Sequence, residues 1–114
     1  MPYNKHHEKH LRPKTPFFGI MPLVILKVLS SRSMHGYQLA EELTRIFGRE
    51  IPKPLVYVTL KRLEERGLVV SRWEMGESGL PRRIYQITDK GTNVLDRGLK
   101  RVEKFKRVLD FLLS

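Results

Sequence analysis

The sequence predicts a mainly α-helical fold that carries one small β-hairpin. Val56, Leu60 and Leu63 recur at the spacing of one helical face. Gly67 follows them, at a position where helices commonly end in the left-handed conformation. Two β-prone segments then flank a segment rich in turn-forming residues. The stretch 51–85 is therefore predicted to be a helix joined directly to a hairpin.

Two further helices are predicted before this stretch. Residues 17–30 are apolar on most sides of a helix, which is typical of a buried one, and we expect it to begin near Pro22. Residues 33–48 form the second helix, with Ser33 or His35 near its N-cap. Its apolar stripe consists of Leu39, Leu43, Ile46 and Phe47.

The second and third helices are separated by the short link 49–52, and the third has a basic outer face. Two helices joined in this way form a helix-turn-helix. With a hairpin directly after it, the layout is a winged helix-turn-helix domain, which we assign to residues 17–87. In such a domain one helix enters the DNA major groove and the hairpin lies on neighbouring phosphates.

Residues 1–16 are rich in basic residues, histidine and proline and have almost nothing apolar, so we predict a flexible basic arm. The histidines of this arm, His6, His7 and His10, would approach one another if it were helical. An unstructured tail is the commoner outcome for such a segment, and we expect neither a metal nor any other cofactor.

The last helix is predicted over residues 88–114, capped by Thr88. Its apolar residues repeat as in a coiled coil, and a seam this short needs a partner. We expect a C-terminal dimerisation helix, whose two-fold dimer would bring two recognition helices to two half-sites of DNA. The alternative, a helix that packs only on its own domain, stays open. The predicted dimer interface consists of Leu95, Leu99, Val102, Phe105, Leu109 and Leu112.

The charge balance predicts a polyanionic partner. The chain has 114 residues, with 22 Lys+Arg against 12 Asp+Glu and a net charge of +10. Double-stranded DNA is the first candidate partner and an anionic membrane surface the second. The chain has no cysteine, which excludes disulfides, thiolate zinc sites and thiol nucleophiles. We find no catalytic constellation and no apolar run of the roughly 20 residues a membrane span needs, and expect a cytoplasmic non-enzyme.

Three motifs, in order and at matching spacing, resemble the PadR-like winged-helix transcriptional regulators. They are HGYQL at 35–39, VYVTLKRLEERG at 56–67 and PRRIYQITDKG at 81–91. The resemblance covers about residues 17–113. It implies a homodimeric repressor that binds an inverted repeat and is released by a small, hydrophobic effector.

The single C-terminal helix resembles the small subfamily, some of whose members bind flat aromatic drugs with a tryptophan of that helix. Here Val102 stands at the aligned position, and the chain's single tryptophan, Trp73, lies in the hairpin. The start of the third helix also departs from the family pattern, because Pro52-Lys53-Pro54 replaces small or polar residues. Base contacts therefore cannot be carried over.

Tyr57 is the first candidate for a DNA contact, because in the family it lies near the DNA face of the third helix. The alternative is a tyrosine that packs in the core. Arg82 and Arg83 are expected to contact phosphates or the minor groove. For any single cation the alternative is a solvated surface charge, which we favour for Lys61. The candidate DNA-binding residues are Tyr37, Lys53, Tyr57, Thr59, Lys61, Arg62, Arg82 and Arg83.

The sequence thus predicts a dimeric, sequence-specific transcriptional regulator that acts as a repressor. An architectural protein that coats DNA without sequence preference is an alternative, since high charge suffices for it. A winged-helix module that binds an acidic protein partner is another.

Overall fold

The computed structural model describes residues 19–114, so the predicted arm lies outside the described residues. Helices and a small antiparallel sheet alternate along the chain, and the mainly α-helical winged helix-turn-helix fold with a C-terminal helix is confirmed. The elements are α1 (Met21–Ser31), β1 (Met34–His35), α2 (Gly36–Phe47), α3 (Lys53–Glu65), β2 (Val69–Met75), β3 (Pro81–Ile87) and α4 (Asp89–Leu113).

Helix α1 forms the centre of the core, as its apolar composition predicts. Pro22 lies in its first turn, where a missing backbone N–H costs no hydrogen bond. Its fully buried side chains are Met21, Ile25, Leu26 and Leu29. The core is completed by α2, α3, the sheet and the first turns of α4.

Helix α2 begins after His35, whose backbone N–H donates to the side-chain oxygen of Gln38 at 3.4 Å. It ends at Gly48, which adopts the left-handed conformation with φ of 68°. Leu39 and Leu43 are buried as predicted, but Ile46 is 45% exposed. Its place in the apolar stripe was wrong, whereas Phe47 packs against the core as predicted.

Helix α3 packs through the predicted face, since Val56, Leu60 and Leu63 are all buried. The link before it is tied to α2 by a hydrogen bond from the Ile51 backbone N–H to Thr44 Oγ1 at 3.2 Å. Gly67 ends the helix with φ of 75°, as its position in the sequence predicts.

The sheet has the strand order β1-β3-β2 and is antiparallel throughout. Its hairpin was predicted, but the two-residue strand β1 was not. β1 pairs His35 with Ile84 and so joins the start of α2 to the hairpin, or wing. Val69 faces the core while Val70 is 51% exposed, which is the alternation that a half-buried strand produces.

Helix α4 starts against the end of α3. Thr88 Oγ1 donates to Gly67 O at 2.7 Å and accepts the Gly91 backbone N–H at 3.0 Å, so it caps the helix as predicted. The backbone N–H of Thr88 donates to Leu68 O at 3.1 Å. Gly91 lies so close to Leu68 O that a Cβ at this position would collide with it.

Only the later part of α4 is open to a partner. Leu95 is buried in its own domain, so its predicted place in the dimer interface was wrong. Leu99 is half-buried against the core, and its place in that interface stays a prediction. The first turns of the helix pack on α1, with Gly98 against Leu23. Residues 100–114 are all exposed in the described chain. Within residues 19–114, no helix combines the length and the apolar character needed to cross a bilayer.

Candidate nucleic-acid interface

The outer face of α3 presents polar and basic side chains to solvent. Lys53, Lys61 and Arg62 are exposed, and Tyr57 is 44% exposed. Thr59 is different, because it is 8% exposed and its hydroxyl donates to Leu55 O within the helix at 2.7 Å. Its predicted place on the outer face was wrong. Thr59 lies three residues after Val56, so it belongs to the buried face.

Tyr57 is positioned by the first residue of α2. A Cβ at Gly36 would lie 2.5 Å from Tyr57 Cε1 and 2.8 Å from its hydroxyl oxygen. The hydroxyl end of the Tyr57 ring therefore lies directly against the Gly36 backbone, while the residue as a whole is 44% exposed. This contact needs glycine in the HGYQL motif, and Tyr57 is neither a fully buried core residue nor a freely moving one.

The two adjacent arginines of β3 point to opposite faces of the sheet, because side chains alternate along a strand. Arg83 lies opposite Trp73 in the register, and its guanidinium carbon is 5.5 Å from the centroid of that ring. Arg83 Nε donates to Ser71 Oγ at 2.7 Å, and its Nη2 is 3.6 Å from Glu64 Oε1. Ser71 Oγ in turn donates to Glu64 Oε2 at 2.6 Å.

This network holds Arg83 beside α3 and creates an open cleft of about 400 Å³ between α3 and the wing. The cleft brings together three of the predicted site residues, Tyr57, Lys61 and Arg83. Its other lining residues are Glu64, Glu65 and Tyr85. We call it the wing cleft. The charge of Glu64 is partly compensated, since it is engaged by Arg83 and Ser71, whereas Glu65 is exposed.

Arg82 turns away from this cleft and binds the start of α2 instead. Its Nη1 lies 3.3 Å from His35 Nε2, and its Nη2 lies 3.7 Å from Glu74 Oε1. His35 is 3% exposed, so the contact is largely shielded from water. The DNA contact predicted for Arg82 is therefore less favoured than that of Arg83, because the Arg82 guanidinium also ties the wing to α2.

Burial is the main cause that lowers the pKa of His35, and the positive charge of Arg82 lowers it further. The carboxylates of Glu74 and Glu41 oppose this shift. A lowered pKa keeps the imidazole neutral near pH 7, so His35 Nε2 can accept a hydrogen bond from the Arg82 guanidinium. Protonation would replace that acceptor with a second donor and place two positive charges together.

Two other predicted residues lie outside the wing cleft. Tyr37, in the first turn of α2, is 47% exposed, and its ring centroid is 3.8 Å from that of His35. Lys53, at the start of α3, lines a different open cleft of about 700 Å³ between α2 and the link. Glu41 and Glu50 also line that cleft, so its charge does not favour a phosphate.

The later part of α4 displays the predicted seam. Val102, Phe105, Leu109 and Leu112 are between 43% and 67% exposed, and Val108 and Phe111 extend the same apolar surface. In residues 19–114 no group of three His, Asp or Glu side chains could hold a metal ion. The histidines of the arm lie outside this range.

Sequence reasoning missed the partners of the two arginines. Glu64 and Ser71 hold Arg83, and His35 holds Arg82 from 47 positions away in the chain. The sequence did indicate that Arg82 and Arg83 have different partners, because side chains alternate along β3 and two adjacent arginines must face opposite ways. The Arg82–His35 contact depends on β1, which is too short to show a periodicity.

Comparison with known proteins agrees with this fold. A family model described as the transcriptional regulator PadR-like family matches residues 25–97. Transcriptional regulator YqjI of Escherichia coli is 32% identical over 87 residues, a match that covers 75% of this chain and 40% of that protein. A transcriptional regulator of Mycobacterium tuberculosis is 34% identical over 85 residues, covering 75% of this chain and 78% of that protein.

Solved structures show the same fold. A transcriptional regulator from Thermoplasma acidophilum is 35% identical, with a TM-score of 0.78 over 86% of this chain and 94% of that one. A PadR family transcriptional regulator from Eggerthella lenta is 30% identical, with a TM-score of 0.72 over 84% of this chain and 83% of that one. Bacillus subtilis PadR, solved in complex with operator DNA, is 23% identical and has a TM-score of 0.65 over 70% of this chain and 46% of that one.

The family model covers most of the folded core, from the middle of α1 into α4, and the three sequence motifs lie within that core. The chain belongs to the PadR-like family of transcriptional regulators.

Proposed function

We propose that this chain is a homodimeric repressor that binds an inverted repeat in double-stranded DNA. The observation that carries the proposal is the wing cleft, in which Tyr57 and Lys61 of α3 face Arg83 of β3. A phosphate at this cleft would meet the ammonium group of Lys61 and the guanidinium group of Arg83, which are usual donors to the DNA backbone. Of the two carboxylates that line the cleft, Glu64 is already paired with Arg83 and Glu65 is exposed. Arg62 on the same helix is exposed and available to a base edge or a neighbouring phosphate.

The charge of the chain supports this proposal, since a net charge of +10 favours association with a polyanion. The DNA-bound structure of Bacillus subtilis PadR supports it further, because that protein shares the fold. At its level of identity, however, individual contacts are not transferred. Those proposed here rest on the side chains of this chain.

Dimerisation through α4 is the second part of the proposal. Val102, Phe105, Leu109 and Leu112 form an exposed apolar seam at heptad spacing, and the helix around them is otherwise rich in charge. A second copy packed on this seam would bury it and would fix two copies of α3 for two half-sites. We propose, as the resemblance to the family implies, that a small hydrophobic effector binds between the two apolar faces, changes the spacing of the recognition helices and so releases the DNA. We place this activity in the cytoplasm.

The experiment that tests the proposal is selection of bound sequences from random duplex DNA at near-physiological salt. Enrichment of an inverted repeat, with half-sites about one helical turn apart, is the expected result. Sedimentation of the complex then gives the number of chains per site. A single enriched half-site bound by one chain would contradict the dimer.

The high net charge also favours a second candidate, an architectural protein that coats DNA. Selection would then enrich no sequence, and binding would fade steeply as salt rises. If the chain bound no duplex at all, the remaining alternative would be a winged-helix module that binds an acidic protein partner.

A further inference from the structure

The wing carries an apolar side that the wing cleft does not use. Trp73 is 64% exposed and Met75 is 69% exposed, and Pro81 opposite Met75 is exposed as well. The register pairs Trp73 with Arg83 and Met75 with Pro81, so all four side chains lie on one face of the hairpin. Large apolar side chains that are grouped on one face and this exposed are typical of a surface that binds a partner molecule.

Arg83 makes this side continuous with the recognition helix. Its guanidinium lies over the Trp73 ring while the same side chain lines the wing cleft with Tyr57 and Lys61. A duplex that places a phosphate in the wing cleft would therefore also lie close to Trp73. The apolar side of the wing is an extension of the basic surface and not a separate patch.

We propose that Trp73 and Met75 form a wedge that enters the DNA minor groove and partly unstacks a base step beside each half-site. The inference rests on the DNA binding proposed above and deepens it. Apolar side chains inserted between bases are a common means of kinking DNA. The face of an indole ring also stacks on any base, so the contact needs no particular sequence.

The surrounding charges favour DNA over a second copy of the chain as the occupant. Two copies packed wing to wing would bring Arg83 against Arg83, whereas phosphates on either side of a minor groove complement this cation. Glu77 lies in the loop at the tip of the hairpin, and its carboxylate disfavours insertion of the loop itself. We therefore place the side of the hairpin, with Trp73 and Met75, against the groove.

Although the stacking contact itself reads no base, a wedge favours sequences whose base steps unstack easily. Pyrimidine–purine steps unstack most readily, so they should be favoured at the position reached by Trp73 although no base edge is read there. The preference would appear outside the bases contacted by α3.

The test uses the full chain and its single tryptophan, whose emission reports on the wing alone. The probe is the duplex recovered by selection, or a mixed-sequence duplex if selection enriches none, with 2-aminopurine placed in turn along the sequence flanking each half-site. Variants are Trp73→Ala and Trp73→Phe. The matched control is Val70→Ala, because Val70 is an exposed apolar residue of the same strand on the opposite face.

We expect DNA to quench Trp73 emission and one 2-aminopurine position to brighten as its neighbour unstacks. Trp73→Ala should bind about 5- to 100-fold more weakly and lose the brightening, as expected for one lost aromatic stack. Trp73→Phe should keep most of the DNA affinity and most of the 2-aminopurine brightening. Val70→Ala should match the wild type in both measurements.

Unchanged Trp73 emission in a complex that forms normally would overturn the wedge and leave DNA binding intact. Emission that changes with protein concentration in the absence of DNA would show that the wing binds a second copy, and would also overturn it. Failure to bind any duplex would overturn both the wedge and the proposed function.

Discussion

Arg82 and Arg83 are adjacent in sequence, and their structural environments predict opposite effects when each is replaced by alanine. Arg82 Nη1 is 3.3 Å from the buried His35 Nε2 and its Nη2 is 3.7 Å from Glu74. A hydrogen bond to a charged group contributes about 1.5–3 kcal/mol, and a partly exposed ion pair contributes about 0–1 kcal/mol. Arg82→Ala also leaves the buried His35 Nε2 without its hydrogen-bond donor, so we expect a loss of about 2 kcal/mol in the free energy of unfolding.

Arg83→Ala should have the reverse profile. The groups that hold Arg83, Glu64 and Ser71, are themselves partly exposed, so we expect a loss below about 1 kcal/mol in stability. Its guanidinium faces the wing cleft, however, and each phosphate contact that is lost lowers the salt slope of DNA binding by about 1. Arg82→Ala should leave that slope nearly unchanged.

The measurement combines urea unfolding at one fixed protein concentration with DNA affinity titrated at several salt concentrations. Arg72→Ala is the control for removal of a positive charge from the wing, because Arg72 is exposed and shares the sheet face of Arg82. Arg72→Ala should change neither the unfolding midpoint nor the salt slope of DNA binding strongly. The reasoning is refuted if Arg82→Ala flattens the salt dependence as much as Arg83→Ala while unfolding stays at the wild-type midpoint.

Three further predictions concern other contacts. Gly36→Ala places a Cβ 2.5 Å from Tyr57 Cε1, so we expect about 1–3 kcal/mol of destabilisation and weaker DNA binding as the ring moves; unchanged affinity and stability would contradict the contact. The lowered pKa of His35 means that the unfolded chain binds a proton more readily than the folded one. The contribution of a neutral His35 to stability is therefore fully present above a pH of about 6.5, the ordinary histidine pKa of the unfolded chain, and is lost as the pH falls from there through the lower pKa of the folded state. His35→Gln should remove this part of the pH dependence in urea titrations. Val102→Glu should weaken a dimer by at least about 100-fold in sedimentation, because it buries an unpaired carboxylate, while Arg107→Glu on the opposite side of α4 should not; a normal Val102→Glu dimer would disprove the seam.

Local patterns in the sequence were sufficient for the helices and the hairpin. The spacing of Val56, Leu60 and Leu63 depends only on helical geometry, and Gly67 marks the end of α3 because few other residues adopt its backbone conformation. Thr59 was misplaced although its spacing was informative, because its polarity was weighed above its position. A hydroxyl that donates to a backbone carbonyl of its own helix is compatible with burial.

Contacts between distant segments could not be predicted. β1 has two residues and acquires its strand geometry only by pairing with β3. Leu95 fits a heptad as well as it fits the domain core, and only the packing of α4 on α1 decides between the two. The candidate site shares this property, since Tyr57 and Arg83 lie on different elements and the distance between them depends on the whole fold.

The joint between α3 and α4 has a mechanical consequence. Thr88 binds Gly67 and Leu68 through its side chain and backbone, Lys90 Nζ donates to Arg66 O at 3.0 Å, and Gly91 leaves no gap beside Leu68. The end of α3 and the beginning of α4 are therefore rigidly connected, and we expect them to move together. With 25 residues, α4 is a lever about 37 Å long, so tilting it by about 5° displaces one end by about 3 Å relative to the other. A small tilt of α4 would therefore change the orientation of α3, because little flexible chain lies between the two helices.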